Sequence, residues 1–321
     1  LVGGEKGSSQ KAVIAALFGN LAIAISKLVA AIFTGSSSMW AETLHSFSDT
    51  VNQILLLIGL RTSKKIVSER HPFGYGKEQF FWSFVVAILI FGVSGSISVQ
   101  RGIESLLNSQ SHNIENIAIN FVILGISFVF EMYAFRIAFR SFKKAIEERR
   151  EKFSFSTLIG ELKETKDAAV MTVLVEDTAA LSGIVVATIA LILTAVTGNS
   201  FFDSIGSLII GLILMAFAVF LARENKGMLI GEAITRRDYK RINDIVSKIP
   251  EVNRIISVRS MHLAPDDVLI AIDVNLVDNL NTDEIESVID NIENKVREIL
   301  PYANLSKIFV EIEQNSINSS R

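Results

Sequence analysis

The sequence contains no cysteine. Thiolate metal sites, redox motifs and disulfide frameworks are therefore excluded. Proline is scarce, at 4 of 321 residues, and charged residues make up only 20%. That composition does not fit a collagen-like or a disordered chain. No basic patch of the kind nucleic acid requires is present. P-loop and glycine-rich nucleotide fingerprints are also missing, as is a nucleophile–base–acid set. The chain thus does not read as an enzyme or as an ATP-driven pump.

What is abundant is apolar sequence, at 50% of residues, with 21 phenylalanines. Its clustering matters more than its amount. Six windows carry little charge: 12–33, 39–60, 80–107, 114–135, 173–197 and 202–222. Each is long enough for a hydrocarbon core of ~30 Å. The first residues, LVGGEKGSSQK, lack a signal-peptide cleavage pattern. Gly198-Asn199-Ser200 divides the last two windows into a tight helical hairpin. Gly92 and Gly95, with Ser94, Ser96 and Ser98, give the third window a small-residue face for close helix contact.

The net charge of -3 conceals an asymmetry. Residues 232–321 hold 16 acidic and 11 basic residues, whereas 1–231 hold 18 and 20. Connections 34–38, 108–113 and 198–201 contain no Lys or Arg. The stretch 61–79 carries Arg61, Lys64, Lys65, Arg70 and Lys77, and 136–172 is richer still. Positive charge marks the cytoplasmic side, so both termini are expected there. The expected localisation is a prokaryotic inner (cell) membrane, crossed several times.

From Glu232 the pattern becomes that of a small soluble domain. Helical spacing runs over 236–248, with Tyr239, Ile242, Ile245, Val246 and Ile249 on the apolar side. Strands are expected at 254–263 and 268–277 around Ala264-Pro265-Asp266-Asp267, a helix at 283–299 and a strand at 305–313. Asn281 and Glu284 form a capping-box start for the second helix. The fold class is therefore a mostly α membrane protein: six transmembrane helices (1–231) plus a C-terminal cytoplasmic αββαβ, ferredoxin-like domain (232–314). Residues 315–321 are expected to be a disordered tail.

Polar residues at membrane depth are costly and need a reason. His45 and Asp49 in the second window are four apart, which puts them on one helix face. Glu176 and Asp177 interrupt an apolar run in the fifth. Adjacent carboxylates there repel unless a cation or protons intervene. One imidazole and two or three acids make a nitrogen–oxygen set suited to Zn2+, with Mn2+ or Fe2+ as alternatives. The blander reading of His45 and Asp49 is a hydrogen-bonded helix lock; the second acidic pair favours the cation site. Asn20 either approaches this site or bonds across helices. Lys27 either snorkels or pairs with Glu42. Glu131 and Arg136 are expected to pair with each other, and Asp203 to sit at its own helix N-terminus.

TGSSSMWAETLHSFSDTVNQILLLIGL (34–60), HPFGYGKEQFFWS (71–83), VLVEDTAALSGIV (173–185) and LARENKGMLIGE (221–232) resemble the cation diffusion facilitators. The resemblance covers nearly the whole chain. The wording is similar to the subgroup related to the mitochondrial zinc transporter nine. It implies a homodimer in a lipid bilayer that exports a divalent metal, most often Zn2+, in exchange for protons. It also implies a transport site with two ligands from the second span and two from the fifth. His45 and Asp49 match the first pair and Asp177 one of the second, but Val173 stands where a histidine is usual. Either Glu176 substitutes, or three ligands and a water suffice. A second family site, in the loop after span two, retains only His71, with Ser68 and Tyr75 at the other positions. His262, Asp273, Glu311 and Glu313 are the candidates for a cytoplasmic-domain site, though an acidic solvated face explains them equally. A reading of another class is a membrane scaffold or metal sensor without transport.

Overall fold

The computed structural model describes residues 5–107, 117–148, 168–300, 303 and 307–313. The expected tail at 315–321, the bare connection 108–113 and residues 149–167 lie outside the described residues. The chain divides into two compact units. One joins the residues up to Gly59 to Phe81–Asn225; the other joins Leu60–Phe80 to the residues from Lys226 onward.

The first unit is helical. Its elements are α1 (Glu5–Thr34), α2 (Ser37–Thr62), α3 (Glu78–Val85), α4 (Gly92–Leu107), α5 (Ile117–Glu148), α6 (Ala168–Thr197) and α7 (Phe201–Ile230). The end of α2, the start of α3 and the end of α7 pass into the other unit. A π-helical turn, Val86–Phe91, joins α3 to α4. Gly35 and Gly198 end α1 and α6 in the left-handed region, at φ 67° and 68°, which a side chain rarely tolerates. The Asn199 side chain then accepts from Phe201 N at 2.9 Å and starts α7. That is the hairpin read from the sequence.

Five of the described helices are long and apolar enough to cross a membrane: Leu17–Thr34, Glu78–Leu107, Ile117–Arg140, Leu174–Thr197 and Phe201–Ile230. Six were expected, and the difference is α2. Its 26 residues rise about 39 Å at ~1.5 Å each, so length is not the obstacle. Composition is. Glu42, Thr43, His45, Ser46, Ser48, Asp49, Thr50 and Asn52 are all buried in it. A helix whose polar groups face neighbouring helices fails a test of hydropathy alone.

The start of α2 is fixed from another helix. Ser37 N and Ser38 N donate to the Asp203 carboxylate at 2.5 and 3.3 Å, and Ser36 Oγ donates at 2.8 Å. Asp203 thus caps α2 from the first turn of α7, serving a neighbour's N–H groups. The small-residue face of α4 packs on α7. At Gly102 an added Cβ would lie 2.9 Å from Leu208 N and 3.0 Å from Ser204 O, so only hydrogen fits. The buried small residues are Ser94, Gly95, Ser98 and Gly102, whereas Ser96 is exposed. The packed stripe therefore differs from the expected one: Ser96 sits off the i, i+4, i+8 line through Ser94, Ser98 and Gly102.

The second unit contains α8 (Arg236–Val246), β1 (Val252–Ala264), β2 (Asp267–Leu276), α9 (Thr282–Ile299) and β3 (Ile308–Ile312). The sheet order is β1-β2-β3, antiparallel then parallel. This is the αββαβ order expected. Alternate residues of β2, Val268, Ile270, Ile272 and Val274, are fully buried and share a core with Ile242 and Val246 of α8 and Val288, Ile292 and Val296 of α9. That period of two buries one face of the sheet. The Asn281–Glu284 capping box is formed, at 3.0 and 2.8 Å. Tyr239, expected on the apolar side of α8, is exposed. Leu60–Phe80 packs in this same unit. Lys307 Nζ donates to Phe73 O at 3.2 Å and pairs with Asp267. An added Cβ on Gly76 would meet Leu263 O at 2.5 Å.

Candidate metal site

Glu42, His45, Asp49 and Asn52 recur along α2 at helical spacing, so they line one face. All are buried. His45 Nδ1 lies 3.5 Å from Asp49 Oδ1. On α6, Glu176 and Asp177 are buried as well. The two helices meet through them. The Glu176 carboxylate accepts from Asn52 Nδ2, and Asp49 and Glu176 line one cavity.

A cavity of about 60 Å³ opens beside this contact, lined by Asn20, Asp49, Gln53, Leu56, Glu131, Glu176 and Asp177. Buried oxygens of Asp49 (Oδ1) and Asp177 (Oδ2) receive no hydrogen bond. Buried acceptors without donors are costly in a dry interior and suit a cation or a proton. Asp49, Glu176 and Asp177 therefore meet around one space, while His45 touches Asp49 but is not among the lining residues. Among the described residues, no three His, Asp or Glu side chains converge closely enough to hold a metal ion as they stand.

Lys27 pairs rather than snorkels. Its Nζ donates to Glu42 Oε2 at 2.8 Å and to Ser46 Oγ at 2.9 Å, with both charged side chains fully buried. Gly183 of α6 leaves room for Glu42, since a Cβ there would collide with Glu42 Oε1. Asn20 approaches the site rather than only bonding across helices. Glu131, expected to pair with Arg136, lines the cavity instead, and Arg136 is exposed. Five residues apart on a helix, the two project from different faces. Glu131, Asn52 and Gln53 are the residues that the sequence reading missed as neighbours of the site. Asn52 was within its reach, because it continues the His45–Asp49 face by one more turn.

In the other candidate clusters, side chains contact one another, and Asp273 Oδ1 is buried without a hydrogen bond. Ser68 Oγ and Tyr75 OH are 3.1 Å apart, and the His71 ring lies 4.3 Å from that of Tyr75. The three loop positions do come together, through a hydrogen bond and a ring contact. Asp273 is held by Arg259 Nη2 at 2.8 Å and by Ser257 Oγ. Register pairs Asp273 with Ser257 and with Glu311, but His262 with Val268, five residues further along β1. His262 is thus not brought to Asp273. Glu311 is exposed.

The family profile of the cation efflux transmembrane domain matches residues 13–230, and that of the cation efflux protein cytoplasmic domain matches 234–315. The chain belongs to the cation efflux family. Within it, the chain is 30% identical over 295 residues to the mitochondrial proton-coupled zinc antiporter SLC30A9 of Xenopus laevis, covering 91% of this chain and 52% of that one. It is 31% identical over 257 residues to metal tolerance protein C4 of Arabidopsis thaliana, covering 80% and 55%. The chain spans about half the length of these curated relatives. A nickel form of a MamM CTD variant aligns with 26% of this chain and 100% of its own, at 12% identity and a TM-score of 0.23.

Proposed function

We propose that this cation efflux protein is an exporter of a divalent metal, Zn2+ first, working as a metal/proton antiporter by alternating access in a homodimer. Asp49, Glu176 and Asp177 take the cation from the cavity, and His45 joins them from its contact with Asp49. The observation that carries this reading is the meeting of α2 and α6 at one cavity lined by Asp49, Glu176 and Asp177, where buried carboxylate oxygens receive no hydrogen bond. Metal binding requires the neutral imidazole and ionised carboxylates, so protons and metal compete for one set of atoms. Along α2 the cavity extends from Asp49 to Gln53 and Leu56, towards the C-terminal end of that helix. The opposite end of α2 is held by Asp203. That arrangement suits loading from the cytoplasmic side, where both termini lie.

Reconstituted vesicles test this directly. An imposed pH gradient is expected to drive Zn2+ movement, and a Zn2+ gradient to move protons. Metal binding without movement favours a sensor or scaffold instead. A second reading has an observation behind it: apart from Leu56, the cavity lining offers carboxylate and amide groups only, which suits Mn2+ or Fe2+. His45→Asp is expected to shift preference from Zn2+ towards Mn2+, measured by competition during uptake. An unchanged preference would show that His45 does not set selectivity.

A further inference from the structure

We infer that Asn52 is the positioning residue for Glu176 and thereby sets the affinity and selectivity of the site. The inference rests on the reading of that site as a metal site.

Asn52 is fully buried on the face of α2 that carries His45 and Asp49. It is not among the residues that line the cavity, whereas Glu176 is. Its Nδ2 donates to Glu176 Oε2 across the α2–α6 contact. An ionised carboxylate only accepts, so the amide nitrogen, and not the oxygen, must face it. Asn52 Oδ1 is buried and receives no hydrogen bond. The amide therefore gives up one of its own bonds in this position, which purely structural packing would not favour.

The residue type follows from the charges nearby. Glu176 sits beside Asp49 and next to Asp177. A donor is needed to hold one of its oxygens in that repulsive setting. A lysine or arginine would hold it but would neutralise it and repel an incoming cation. An aspartate would repel it. A neutral amide fixes the carboxylate and leaves its charge for the metal. With one lone pair of Oε2 taken by Asn52, Oε1 is the more open oxygen for a cation, which favours Glu176 as a single-oxygen ligand. A single-oxygen contact suits four-coordinate Zn2+, which accepts one atom per ligand. Larger oxygen-loving cations gain less from it.

The test is a double-mutant cycle on the full chain in vesicles, with Zn2+ and Mn2+ as the probes. Asn52→Ala is expected to raise the KM for Zn2+ about tenfold, as loss of a hydrogen bond to a charged group does, and to lower the Zn2+/Mn2+ preference. Maximal flux should change less. In a Glu176→Gln background the same substitution should add little, since the two act as one unit. If Asn52→Ala does not fold, Asn52→Leu fills the same space without a donor and carries the same comparison. Equal losses in both backgrounds, or an unchanged KM, would overturn the inference. Normal Zn2+ flux that Asp49→Ala stops, with neither Asn52 variant shifting KM, leaves the site reading standing and removes Asn52. A chain that neither binds nor moves a divalent metal removes both.

Discussion

Asp49→Ala should lower proton-coupled metal flux by more than about a hundredfold, beyond the range seen for partners that only orient a ligand. Asp49 touches every part of the site. Its carboxylate is 3.5 Å from His45 Nδ1, and it lines the cavity shared with Glu176 and Asp177 of the facing helix. Removing it leaves Glu176 without its acidic partner and His45 without a bridge to the cavity. The loss is expected in flux and in metal binding together. Thermal unfolding of the metal-free protein should be little changed, because the substitution removes a buried acid whose Oδ1 no donor serves. Undiminished flux would remove Asp49 from the site.

Lys27→Met should be the most destabilising single change in the helical unit. Lys27 and Glu42 are fully buried and joined at 2.8 Å. Removing one member of such a pair strands a charge in a dry interior, at a cost of about 3–5 kcal/mol. Glu42 Oε1 already has no hydrogen-bond partner, so Glu42 has little left to fall back on. Lys27→Met combined with Glu42→Gln should recover most of the loss, since no unpaired charge remains. Thermal unfolding in detergent or nanodiscs reads both variants. A single variant as stable as the unmodified chain would mean that water or another cation reaches Glu42.

Much of this architecture can be read from local pattern. The αββαβ order, the capping box at Asn281 and the hairpin at Gly198 follow from short-range chemistry, and each is present. The family was legible because motif spacing on α2 and α6 survives in sequence. Contacts between distant helices were not legible. Nothing local says that Asp203 caps α2 from α7, or that Glu131 turns to the cavity instead of to Arg136. Periodicity gives the face of a helix but not which neighbour covers it. Counting spans by hydropathy stumbles on α2 for a related reason. The helix that carries the candidate ligands His45 and Asp49 is also the least apolar helix of the first unit, and only its burial among the others accounts for it. Asp273 illustrates the limit from the other side: an acid that suggests a metal ligand in sequence is committed to Arg259 and Ser257 in the fold.

The most direct measurement is anomalous diffraction at the zinc edge from metal-soaked crystals of the full chain. One peak is expected between α2 and α6, within bonding distance of His45, Asp49 and Asp177, with one oxygen of Glu176 as the fourth contact. A peak only at the cytoplasmic domain or the His71 loop, with none between these helices, would contradict it.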